Sequence, residues 1–195
     1  MAKKYVSIIE DSLKDYFFIK SNSALYNKNG LITGLKTKNV SFEIGFFPVI
    51  KTHNLLKKVV GKGYHLVKLS DNLFFINTHL YDPINKTEEI ITESQFNTLE
   101  KLIGTKNTIL AGDLNITKEK LMKLSKKMVY DTPFYTGDSK INYLTKKRLN
   151  RFSYTDFVSE YILKTKKSNI SISIQRMRTP IVSDHFILLA DAKIE

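Results

Sequence analysis

The sequence predicts a layered α+β domain in which helices cover a mostly antiparallel sheet, and three observations lead there. Apolar runs with period-two alternation recur along the chain, most cleanly at Ile170-Ser171-Ile172-Ser173-Ile174. Turn residues separate neighbouring runs, as Ser70-Asp71-Asn72 separates Tyr64–Leu69 from Leu73–Thr78. Between two such runs the apolar spacing changes to that of a helix, at Phe96, Leu99, Leu102 and Ile103. Strand-helix-strand units mixed with hairpins describe α+β or α/β layering, and periodicity alone goes no further.

Taken in order, residues 4–17 fit a helix with Ile8, Ile9, Leu13 and Phe17 on one side, although Tyr5-Val6-Ser7-Ile8-Ile9 also fits a strand. Asn27-Lys28-Asn29-Gly30 is a turn signal before the strand-like Leu31-Ile32-Thr33-Gly34-Leu35, so a hairpin is expected there. Residues 40–50 place Phe42, Ile44, Phe46 and Phe47 in partial alternation. Thr92-Glu93-Ser94-Gln95 has the spacing of a capping box, which starts a helix at Thr92 and ends it at Gly104. A strand through Leu110, a loop at Gly112-Asp113-Leu114-Asn115 and a helix from about Thr117 to Met128 follow. Residues 133–147 are polar and expected in a loop, and strands resume near Phe157, at Ile170–Ile174 and at Phe186–Ala190.

At 195 residues the chain fits one domain spanning 1–195, large enough to bury its own core. No apolar run approaches the ~20 residues needed to cross a bilayer. The first residues lack the apolar core of a signal peptide, since Glu10 and Asp11 interrupt them. The chain contains no cysteine, which excludes disulfides and thiolate metal sites. An intracellular monomer is the expectation. A formal charge of +12 favours anionic partners, nucleic acid among them, although solvated lysines explain much of such charge. Only Arg148, Arg151, Arg176 and Arg178 carry the planar fork that grips phosphate bidentately.

Three short polar groups stand where apolar runs stop: Thr78-His79-Leu80 after Asn77, Gly112-Asp113-Leu114-Asn115, and Ser183-Asp184-His185. Two imidazoles, two carboxylates and a carboxamide on one rim would polarise water and hold a phosphate beside a divalent cation. Singly, each has a plainer reading. Asp113 is an ordinary turn aspartate, Asn115 a helix cap, His79 a hydrogen-bonded core histidine and Asp184-His185 an exposed pair. Four coincidences are needed to explain them all away.

With Gln95 in the intervening helix, these motifs resemble, in order and separation, those of the endonuclease/exonuclease/phosphatase superfamily. That superfamily includes deoxyribonucleases, apurinic endonucleases and neutral sphingomyelinases. Gly30-Leu31-Ile32-Thr33 resembles its Gly-Leu strand, so the likeness runs from about Gly30 to the C-terminus. It implies a β-sandwich with flanking helices. It makes His185 the general base or water-orienting group, with Asp184 fixing its tautomer or binding metal, roles that suit an imidazole beside a carboxylate. Asp113 would activate the nucleophile or touch the cation. Asn115 would donate to a phosphoryl oxygen, and His79 would offset charge on the scissile phosphate. Asn77 and Arg151 join the expected substrate-binding set. The family's Asp-Tyr-Ile strand has two registers here: Thr155-Asp156-Phe157-Val158 keeps the aspartate, and Glu160-Tyr161-Ile162-Leu163 keeps the strand. Asp156 is narrowly preferred.

The family opens with a strand ending in asparagine and another ending in Gln-Glu, whose glutamate binds metal. Only 29 residues precede Gly30 and none shows that pattern, so an N-terminally shortened form is expected, with Glu10 the sole nearby metal-ligand candidate. The resemblance implies a Mg²⁺-dependent phosphoesterase, Mn²⁺ being an alternative, because the ligands on offer are oxygens. A phosphodiester substrate, nucleic acid ahead of sphingomyelin-like lipid, is the leading expectation. A noncatalytic scaffold that binds a phosphorylated or nucleic-acid partner is the alternative.

Overall fold

Ten strands and three helices form among the residues described by this computed structural model, 2–21, 31–48, 61–83, 85–130, 160–177 and 187–194. Of the two readings of the N-terminal segment, the helix is the one adopted, as α1 (Ala2–Ser12). It stops earlier than its apolar spacing suggests. Ser12 Oγ donates back to the Ile8 carbonyl at 2.7 Å, and the aromatic, β-branched run Phe17-Phe18-Ile19 enters strand β1 (Phe17–Lys20). Strand β2 (Ile32–Leu35) pairs with it antiparallel, Phe17 opposite Leu35, so the expected hairpin exists, its turn lying outside the described residues.

The main sheet comprises β3 (Ser41–Phe46), β4 (Gly63–Ser70), β5 (Leu73–His79), β6 (Thr108–Asp113), β7 (Met128–Tyr130) and β8 (Glu160–Thr165). Its order is β3-β4-β5-β6-β8-β7. Every neighbouring pair is antiparallel except β5 and β6. A parallel pair needs a crossover, and helix α2 (Lys86–Ile103) supplies it.

That helix begins six residues before Thr92. Its cap is Asn85, whose side chain accepts from Glu88 N at 3.0 Å, so Asn85 and Glu88 supply the start signal that Thr92 and Gln95 seemed to give. A short helix α3 (Lys118–Leu124), capped by Thr117, ends before the expected Met128. Met128 instead opens β7 and is 1% exposed in the core, with its carbonyl accepting from Ser125 Oγ at 2.7 Å. The strand expected near Phe157 and the loop at 133–147 lie outside the described residues.

Alternation divides the main sheet into two faces. Ile76, Leu110 and Leu163 point one way, into the core formed with Phe96, Leu99 and Ile103 of α2 and Leu121 of α3. Phe75, Ile109 and Ile162 point the other way, towards the antiparallel hairpin of β9 (Ile170–Met177) and β10 (Ile187–Ile194). The β1–β2 hairpin is tied to the same second face by polar contacts. His65 of β4 meets Ser21 Oγ at 2.6 Å and Thr33 Oγ1 at 2.9 Å, while Asn77 of β5 donates to the Ile32 carbonyl at 3.0 Å. The result is an α+β sandwich: a mixed six-stranded sheet, α2 and α3 on one side, and two two-stranded sheets in the second layer.

Candidate active site

Parallel strands leave their carboxyl ends on one edge, where no ladder partner continues and polar side chains can converge. Here β5 ends in His79 and β6 in Asp113, and the two residues are register partners on the second face. Gly112 allows the strands to come this close. At φ 151° it occupies backbone space suited to glycine, and a Cβ there would stand 1.9 Å from the Thr78 carbonyl oxygen. One further ladder bond, Leu80 N to the Asp113 carbonyl at 2.9 Å, fixes the pair beyond the strand ends.

The carboxylate of Asp113 is divided between two duties. Its Oδ1 accepts from Asn115 N at 3.1 Å, and its Oδ2 stands 3.6 Å from His79 Nε2. Neither side chain is sealed off, His79 being 39% and Asp113 22% exposed. Asn115 adopts φ 50°, the left-handed conformation that asparagine tolerates, and its Nδ2 donates to the Leu80 carbonyl at 3.1 Å. It thus ties the loop after β6 to the residue after His79. One N–H of its amide is not used in that bond.

Other contacts hold the rim from outside. Gln95 Oε1 accepts from Tyr81 N at 2.8 Å, and Thr92 Oγ1 donates to the Tyr81 carbonyl at 2.9 Å. The Thr-x-x-Gln spacing therefore clamps the chain leaving His79 to α2. Tyr161 Oη donates to the Ile116 carbonyl at 2.8 Å, anchoring the loop after Asp113. These buried partners were not legible as site supports, because each joins segments distant in sequence.

The expected site residues fall into three groups. His79, Asp113 and Asn115 come together. Asn77 lies two residues before His79 on the same face, but both its donor contacts serve the fold, to the Ile32 carbonyl and to Thr33 Oγ1 at 3.0 Å each. An asparagine amide has two N–H groups, and both acceptors found here belong to the first hairpin. Glu10 sits on α1, where its carboxylate pairs with Lys20 Nζ at 2.6 Å. Arg151, Asp156, Asp184 and His185 lie outside the described residues. Glu160, the competing register for Asp156, stands opposite Asp113 across the β6–β8 ladder. Cross-strand partners of this kind have Cβ atoms ~5 Å apart.

No group of three or more His, Asp or Glu residues able to hold a metal occurs among the described residues. The donor set is nevertheless of the right kind for a hard cation. Mg²⁺ commonly takes one or two carboxylates and completes its shell with water and substrate phosphate. Asp113 and Glu160 would provide those two carboxylates.

No family model and no curated protein matches the chain by sequence. Solved structures do. Zebrafish (D. rerio) TDP2 complexed with a single-strand DNA product superposes with a TM-score of 0.66 over 97% of this chain and 81% of that one, at 17% identity. An endonuclease/exonuclease/phosphatase from Bacteroides vulgatus gives 0.64 over 98% and 81% at 12% identity. A mannosyl-6-phosphatase of Bacteroides thetaiotaomicron gives 0.59 over 97% and 81% at 16% identity. The fold of this chain is that of the endonuclease/exonuclease/phosphatase proteins.

Proposed function

We propose that the chain is a metal-dependent phosphoesterase whose preferred substrate is a phosphodiester, with nucleic acid ahead of lipid or sugar phosphates. The observation that carries this reading is the His79–Asp113 pair at the carboxyl ends of the parallel strands, with Glu160 as neighbour. Two of the similar structures carry phosphoester-cleaving names, and the third holds a single-strand DNA product. A net charge of +12 supplies attraction for a polyanion.

Within this reading the His79 imidazole, partly exposed at the rim, offers an N–H to a non-bridging phosphoryl oxygen and offsets the charge gathering there in the transition state. Asp113 lies beside that imidazole, its Oδ2 3.6 Å from Nε2, and with Glu160 would hold Mg²⁺ or Mn²⁺. The ion would supply Lewis-acid polarisation of the phosphoryl group. Asn115 donates without adding negative charge. Asp184 and His185 take the water-orienting role by motif.

Hydrolysis of bis(4-nitrophenyl) phosphate tests the reading. Turnover that needs Mg²⁺ or Mn²⁺, stops with a chelator and is lost in Asp113→Asn supports it. Equal turnover in Asp113→Asn would place the chemistry elsewhere. Absence of turnover together with salt-sensitive binding of single-stranded DNA would favour the noncatalytic scaffold instead.

A further inference from the structure

The site row continues across five of the six strands of the main sheet. Register places Phe46 of β3 opposite Gly63 of β4, Gly63 opposite His79, His79 opposite Asp113, and Asp113 opposite Glu160. Residues so paired share a face, so Phe46 lies on the same face as His79. Two strand spacings, ~10 Å, separate them, and Gly63 puts no side chain between. Phe46 is 43% exposed. The other phenylalanines of this strand region have ring partners, Phe42 against Phe17 at 6.2 Å and Phe47 against Tyr64 at 5.8 Å. Among the described residues no ring packs on Phe46.

We infer that Phe46 is a stacking platform for a nucleobase one step along the strand from the phosphate held at His79, and so a specificity-determining residue for nucleic-acid esters. This rests on the phosphoesterase reading for where the phosphate sits. A flat apolar ring at the rim, about one nucleotide from a phosphate-binding group on a strongly basic protein, suits a base with its π-face exposed. A sugar or lipid phosphate would gain little from it. An exposed phenylalanine on an edge strand also invites edge-to-edge association, which a functional contact would offset.

The test compares two 4-nitrophenyl phosphodiesters that differ only in the second alcohol, thymidine 5′-hydroxyl or methanol, with Mn²⁺ present. The thymidine ester should be preferred in kcat/KM. Phe46→Ala should shrink that preference about tenfold, mainly through KM, and Phe46→Trp should retain it. An unchanged preference in Phe46→Ala, with both esters still turned over, overturns the inference. If the unaltered chain cleaves neither ester, the phosphoesterase reading has failed. Anisotropy with a labelled oligothymidylate then decides the platform alone: about tenfold weaker binding in Phe46→Ala supports it, and equal binding rejects it. Circular dichroism confirms that the variants are folded.

Discussion

At the scale of single residues, two histidines on one face have opposite surroundings. His79 is partly exposed at the rim and stands beside a carboxylate, whereas His65 is fully buried between two hydroxyls. Replacing His79 with alanine should lower kcat/KM by about 10²-fold or more while leaving the urea midpoint nearly unchanged. A large fall in stability would mean that His79 serves the fold. Burial holds His65 below its ordinary value of 6.5, so the folded chain disfavours its protonation. The unfolded chain then binds the extra proton more readily, and stability is lost as pH falls below 6.5 towards the lowered folded value. Urea midpoints measured between neutral pH and about pH 5 should decline less steeply in His65→Gln than in the unaltered chain. Parallel slopes would show that His65 does not titrate with folding. Asn77 donates to Thr33 Oγ1, which in turn meets His65 Nδ1, so this buried network joins the first hairpin to the strand that carries His79.

At the scale of elements, Thr78-His79 and Gly112-Asp113 were legible as strand ends because they close apolar runs, and a strand end is a local feature of sequence. The helix start was misplaced because two capping patterns stood seven residues apart. Asn85 and Glu88 won, and Thr92 and Gln95 were used to clamp Tyr81. Gln95→Leu should therefore strand the Tyr81 amide rather than fray the helix, at about 1–3 kcal/mol. Far-UV helicity should persist while stability falls; lost helicity would restore the capping interpretation. Gly112→Ala tests the strand junction itself. A Cβ 1.9 Å from the Thr78 carbonyl cannot be accommodated without spreading β5 and β6. Backbone strain alone costs about 1–3 kcal/mol, and activity should fall with stability because His79 and Asp113 separate. Undiminished activity in Gly112→Ala would detach the site from this strand contact.

At the scale of the whole molecule, layering was legible but register was not. Pairing partners such as Asp113 and Glu160, or Gly63 and Phe46, lie 47 and 17 residues apart, and nothing local in the sequence states which will face which. The two faces of the sheet also differ in a way composition cannot reveal. Ile76 and Leu110 are 0% exposed under the helices, while Phe75 and Ala111, next to them in sequence and on the second face, are only partly buried. Two separate two-stranded sheets lie on that second face, whereas α2 and α3 pack on the first. Burial, not residue size, should then rank the cost of truncation. Ile76→Ala removes side-chain volume from a sealed core and should cost about 2–5 kcal/mol. Phe75→Ala removes a larger side chain, yet solvent already reaches the site, so the loss of transferred area is smaller and little cavity forms. Urea unfolding of the two variants should therefore find Phe75→Ala the milder. The reverse order would mean that the second layer packs as tightly as the first, and that the rim above β5 and β6 is less open to a substrate than the exposure of His79 and Asp113 implies.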